Sequence, residues 1–139
     1  MKKKYIALDI GDVRIGVARS DSMGMFATPL EVIDRKKVKS IERIKKICFE
    51  ENTKQIIVGI PKSLDGEEKR QAEKVREYME KIKRNIDGVE FFEIDERYTT
   101  VTADKLLQEM GTKGAIEKRK VVDKIAAAII LQVFLDRKR

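Results

Sequence analysis

The chain has 139 residues, enough to bury a core within one domain and too few for two nucleotide-clasping domains. Its 31 lysines and arginines outnumber 24 acids, and the formal net charge of +7 suits a polyanionic partner such as nucleic acid. With no histidine and one cysteine, it excludes Ser-His and Cys-His catalysis, His-ligated zinc and an intrachain disulfide. Chemistry must therefore run on carboxylates, lysines, hydroxyls or a metal.

Residues 5–10 form an apolar, β-prone run that carries Asp9 near its tip. Gly11 and Gly16 punctuate a tight reversal, and residues 16–20 read as the antiparallel partner. Such a strand end presents an acid to a ligand, or uses the acid only to shape the turn. Residues 20–24 read as the next turn, and residues 28–34, entered through Pro29, as a third strand. From 37 to 51, Val38, Ile41, Ile44, Ile47 and Cys48 recur at helical spacing between lysines and glutamates, so an amphipathic helix with a buried cysteine is expected. Residues 55–60 are nearly all apolar and end at Pro61, which fits a strand covered on both faces.

After a loop at 62–66, Glu67 and Glu68 suit the start of a second helix, and Ala72, Val75, Met79, Ile82 and Ile86 form its apolar stripe. Asp87 and Gly88 close it, and residues 89–94 form a fifth strand running into Asp95-Glu96-Arg97. Thr99 or Thr100 caps a helix to Met110, stopped by Gly111. Residues 112–120, with Lys113, Lys118, Arg119 and Lys120, read as a mobile basic loop. Residues 121–134 are then a last helix, apolar on nearly all sides, whose Ala126, Ala127 and Ala128 permit close approach to a sheet. No apolar stretch approaches the ~20 residues of a membrane span. A soluble protein of the reducing cytoplasm is expected.

This order implies an α/β fold, a five-stranded mixed sheet flanked by helices in a single domain over 1–139. Three acidic positions then stand out: Asp9 at the end of the central strand, Asp95-Glu96 at the end of the fifth, and Asp123 at the start of the last helix. Brought together, they offer hard oxygen donors without nitrogen or sulfur, the kind of site that takes Mg²⁺ or Mn²⁺. Apart, Asp95 and Glu96 would pair with Arg97 and Asp123 would serve the helix dipole.

Several segments, in order, carry a family resemblance. They are Leu8-Asp9-Ile10-Gly11 with Arg14-Ile15-Gly16-Val17-Ala18, Ser20-Asp21, Val58-Gly59-Ile60-Pro61 with Leu64-Asp65-Gly66, Asp95-Glu96-Arg97-Tyr98-Thr99-Thr100, and Lys118-Arg119-Lys120 before Val122-Asp123-Lys124-Ile125-Ala126-Ala127. Over almost its whole length the chain resembles the bacterial pre-16S rRNA nuclease family, also described as Holliday-junction-resolvase-like, with an RNase H-like fold. The resemblance implies that Asp9, Glu96 and Asp123 are the metal-binding catalytic acids, with Asp95 the rival of Glu96. It implies a nuclease maturing the 5′ end of pre-16S rRNA, with branched DNA as the other substrate and the small ribosomal subunit as a partner. Two divalent ions, bridged by Asp9, would activate water and stabilise the leaving oxygen. Arg14, Arg97, Lys118, Arg119 and Lys120 would hold the phosphate backbone. Ile10 and Asp12 depart from the family pattern, and Asp12 adds a negative charge where phosphate approaches. A non-catalytic RNA-binding assembly factor on the same fold is the competing expectation, one in which RNA binding survives loss of the acids.

Overall fold

The structure, a computed structural model, describes residues 3–61, 66–95 and 115–138, and for 66–68 and 115–124 the backbone. The elements run β1 (Ile6–Ile10), β2 (Arg14–Ser20), β3 (Ala27–Asp34), α1 (Ser40–Glu50), β4 (Gln55–Ile60), α2 (Gly66–Asn85), β5 (Glu90–Asp95) and α3 (Ala115–Lys138). The strands form one sheet in the order β3-β2-β1-β4-β5. The β1–β2 and β2–β3 pairs are antiparallel, whereas β1–β4 and β4–β5 are parallel. The expected mixed sheet is therefore present, with β1 at its centre. The expected helix ending at Met110 lies outside the described residues, as do Glu96 and Arg97.

Side-chain alternation along the strands splits the apolar residues between two cores. On one face Ile6, Leu8 and Ile10 of β1 and Ile56, Val58 and Ile60 of β4 meet Ile44, Ile47 and Cys48 of α1 and Val75, Met79, Ile82 and Ile86 from α2 and the turn after it. On the other, Tyr5, Ala7, Ile57 and Ile94 meet Ala127, Ile130, Leu131 and Leu135 of α3. Residues 56–60 of β4 are buried throughout, as their unbroken apolar run requires of a strand covered on both faces. Val38 departs from expectation: it precedes α1 and is exposed, so the buried stripe begins with Ile41 and Ile44.

A second departure concerns the basic run. Lys118, Arg119 and Lys120 belong to the first turns of α3, and residues 115–120 form no loop. Past Gly114, Ala115-Ile116-Glu117-Lys118-Arg119-Lys120 holds neither glycine nor proline, and its residues propagate a helix that packing has already nucleated further along. Asp123 is consequently the ninth residue of a 24-residue helix rather than its start. At 1.5 Å per residue that is about 12 Å from the N-terminus, beyond the first turn, where the helix dipole acts.

Candidate functional site at the end of the central strand

Asp9 is the fourth of the five residues of β1 and is half-buried. Odd-numbered residues of β1 face α3, as Ala7 does, so the Asp9 side chain rises on the α3 face. Its partner across the β1–β2 ladder is Gly16. Carrying the β1–β4 register one rung past Leu8–Val58 sets Gly59 on its other side, and Gly59 in turn pairs with Ile94 of β5. The sheet positions on both sides of Asp9 thus lack side chains. Within the sheet, the carboxylate is therefore flanked on both sides by backbone alone.

The turn leading away from Asp9 is held from several directions. Gly11 N–H donates to the Arg14 carbonyl at 3.0 Å. A Cβ on Gly11 would lie 2.7 Å from that carbonyl oxygen, so the close approach demands glycine. The Arg35 guanidinium donates to the Gly11 carbonyl at 2.7 Å, and the Arg35 backbone N–H donates to the Val13 carbonyl at 2.9 Å. The same guanidinium lies 4.5 Å over the Tyr78 ring of α2, and the Tyr78 hydroxyl hydrogen-bonds Ser40 at the start of α1. Burial raises the Tyr78 phenol above its ordinary range, so it stays neutral and able to donate at physiological pH. Asp12, whose charge the sequence places near an approaching phosphate, pairs with Lys74 of α2 at 3.6 Å, with both side chains exposed.

The other candidate acids fall as follows. Asp95 ends β5, and alternation sets it on the face opposite Ile94, with Phe91 and Glu93. Glu93 bears this out, since it pairs with Arg76 of α2 at 3.3 Å. Asp95 and Asp9 therefore occupy opposite faces of the sheet. Asp123 belongs to α3, the helix that covers the Asp9 face. The far end of α3 is anchored where Lys138 bonds the Tyr5 hydroxyl, ahead of β1. Fifteen residues back, about 22 Å along the axis, the Asp123 backbone lies toward the end of β1 that carries Asp9.

Among the described residues no group of three or more acids or cysteines is arranged to hold a metal ion. Arg14 opens β2, half-buried, opposite Asp34 of β3. No helix searched among the described residues is long and apolar enough to cross a membrane. Two contributions to the site escaped the sequence analysis: the glycines flanking Asp9, visible only once strand register is known, and Arg35, whose bond to Gly11 spans 24 positions.

The model of the RuvX Holliday junction resolvase family matches residues 3–137. A Fusobacterium nucleatum protein named "Putative pre-16S rRNA nuclease" is 68% identical over 137 residues, covering 99% of each chain. A protein of the same name from Desulforamulus reducens is 42% identical, covering 96% of each chain. Among solved structures, "T. thermophilus RuvC in complex with Holliday junction substrate" superposes with a TM-score of 0.58 over 97% of this chain and 95% of that one. At 14% identity this likeness speaks for the fold alone, an RNase H-like one. With the family model spanning nearly the whole chain and close relatives matching end to end, the protein belongs to the RuvX family.

Proposed function

We propose that the protein is a metal-dependent endonuclease that hydrolyses phosphodiester bonds and matures the 5′ end of pre-16S rRNA. The observation that carries this reading is Asp9, half-buried at the end of the central strand between two positions without side chains. Such a carboxylate is a hard oxygen donor, which suits Mg²⁺ or Mn²⁺. Glu96 and Asp123 would complete the ligand set with Asp9, and the opposite orientation of Asp95 favours Glu96 as the second acid. When bound, a pair of such ions would lower the pKa of the attacking water and stabilise the leaving oxygen.

The chain's own residues supply the rest. Gly16 and Gly59 put no side chain beside Asp9 in the sheet, and the clamp on Gly11 fixes the end of β1 from which Asp9 projects. Arg14, Arg97, Lys118, Arg119 and Lys120 would hold backbone phosphates, a task that needs charge more than exact geometry. On this reading the protein works in the cytoplasm on precursors of the small ribosomal subunit. Branched DNA is the second substrate reading, favoured by the family's description as Holliday junction resolvases.

The test is cleavage of end-labelled RNA carrying a 5′ extension of the 16S sequence, beside a four-way DNA junction, with Mg²⁺ or Mn²⁺. Metal-dependent cuts by wild type that vanish in Asp9→Asn support the carboxylate site, and the preferred substrate chooses between RNA and branched DNA. Binding without cutting by either protein turns the reading to an RNA-binding assembly factor. Cutting by Asp9→Asn at the wild-type rate refutes the mechanism.

A further inference from the structure

The turn between β3 and α1 carries Arg35-Lys36-Lys37-Val38-Lys39, the densest run of cations among the described residues, of which the site above uses Arg35 alone. Its position is set by the site itself. Arg35 is tied to the Asp9 hairpin through both its backbone N–H, on Val13, and its guanidinium, on Gly11. Lys36 and Lys37 follow directly, their backbone N–H groups held by the side chain and the carbonyl of Asp34. Lys36, Lys37 and Lys39 are exposed and form no ion pair with a described residue.

The neighbouring acids offset these cations only in part. Asp12 pairs with Lys74 and Glu31 with Arg43, which leaves Asp34 and Glu42 against Arg35, Lys36, Lys37 and Lys39. Glu42 is the single acid in the first turn of α1. Lys39 even occupies the N-cap of α1 without a side-chain cap bond, a position where the helix dipole disfavours a cation. Three like charges on a short, fixed turn repel one another, a cost that a partner bearing spaced negative charges relieves. The exposed Val13, in the turn of the Asp9 hairpin, accepts the Arg35 backbone N–H at its carbonyl.

We infer that Lys36, Lys37 and Lys39 form a phosphate-binding surface that holds the nucleic-acid backbone on the α1 side of the Asp9 hairpin. The inference rests on the nuclease reading and extends it to a part of the molecule remote in sequence from Lys118–Lys120. The surface recognises phosphodiester charge rather than base sequence, so it sets affinity and substrate placement, and the bond-breaking chemistry stays with the acids.

The experiment compares wild type, a Lys36→Gln/Lys37→Gln/Lys39→Gln variant and a control of equal charge, Lys54→Gln/Lys81→Gln/Arg84→Gln. The control residues are exposed near the starts of β4 and β5, the opposite end of the parallel strands. Binding of fluorescein-labelled single-stranded RNA and of a four-way DNA junction is measured between 50 and 200 mM salt, with metal-dependent cleavage assayed in parallel. Each single-strand phosphate contact contributes about 0.7 to the salt slope. The surface variant should lose about 2 from that slope on RNA, equivalent to roughly 100-fold in affinity at 0.1 M salt if the lines meet near 1 M. The control should keep its slope. A loss confined to the junction supports the surface and names branched DNA as its source. Equal losses in both variants, or none in either, overturn the inference. If wild type cuts and binds normally while the surface variant does the same, the surface alone fails; if wild type neither cuts nor binds in a salt-dependent way, the nuclease reading fails with it.

Discussion

Arg35→Met is the perturbation that most directly tests how the hairpin is held. It removes the guanidinium bond to the Gly11 carbonyl, 2.7 Å and partly buried, and the cation above the Tyr78 ring at 4.5 Å. It leaves the Arg35 backbone bond to Val13 in place and keeps an apolar stem against the ring. A hydrogen bond from a charged donor contributes about 1.5–3 kcal/mol when buried, and an exposed cation over an aromatic ring about 0.5–1 kcal/mol. Discounting the first for partial solvent access gives a loss of about 2 kcal/mol. An unfolding entropy of roughly 2.1 cal/mol/K per residue makes this a fall in Tm of about 7 °C for a chain of this size. Differential scanning calorimetry reads that fall, and amide exchange at Gly11 locates it. Arg35→Lys keeps the charge without the planar fork and should fall between the two. A Tm within about 2 °C of wild type in Arg35→Met, with Gly11 exchange unchanged, would show that the guanidinium does not hold the turn.

Two further outcomes follow from titrating groups. Burial pushes the Glu51 carboxyl up, but Lys4 and Arg19 outweigh it and bring it below the ordinary carboxylate value. A depressed folded pKa means stability that is full above the unfolded value, near 4.5, and lost as pH falls through the folded one. Glu51→Gln should therefore melt below wild type at pH 7 and converge with it in acid, as followed by circular dichroism; a constant difference down to pH 2–3, below any ordinary carboxylate pKa, would contradict this. Cys48 of α1 is buried against α2 and the sheet, and burial raises its thiol to about 11. It should react with a thiol-specific disulfide reagent at pH 8 only after denaturation, and rapid reaction of the folded protein would refute the packing.

Periodicity made most elements legible, because helices and strands in a small domain each bury one face and advertise it at 3.6 or 2.0 residues. Residues 55–60 were readable as a doubly covered strand, and Ala72, Val75, Met79, Ile82 and Ile86 as one stripe, because burial alone dictates those residue types. The β1 run likewise announced an acid at a strand end. Residues 115–120 continue the last helix where a basic loop is expected, because a polar, charged sequence is compatible with either. The residue types leave that choice to the packing that continues the helix from residue 125 onward.

The candidate site divides along the same line. Sequence alone determined which oxygen donors exist, that no histidine competes with them, and the order in which strands and helices deliver them. It could not say that Gly16 and Gly59 flank Asp9, that Asp95 turns to the other face, or that Arg35 reaches back 24 residues to clamp Gly11. Those facts depend on strand register and on which face each helix covers. Register is settled by matching whole faces of the sheet to their cores, since a slip of one residue would turn every side chain to the wrong side. The residues at positions 9, 16, 59 and 94 have no local reason to meet, and they align because the apolar side chains around them can be buried in one way together.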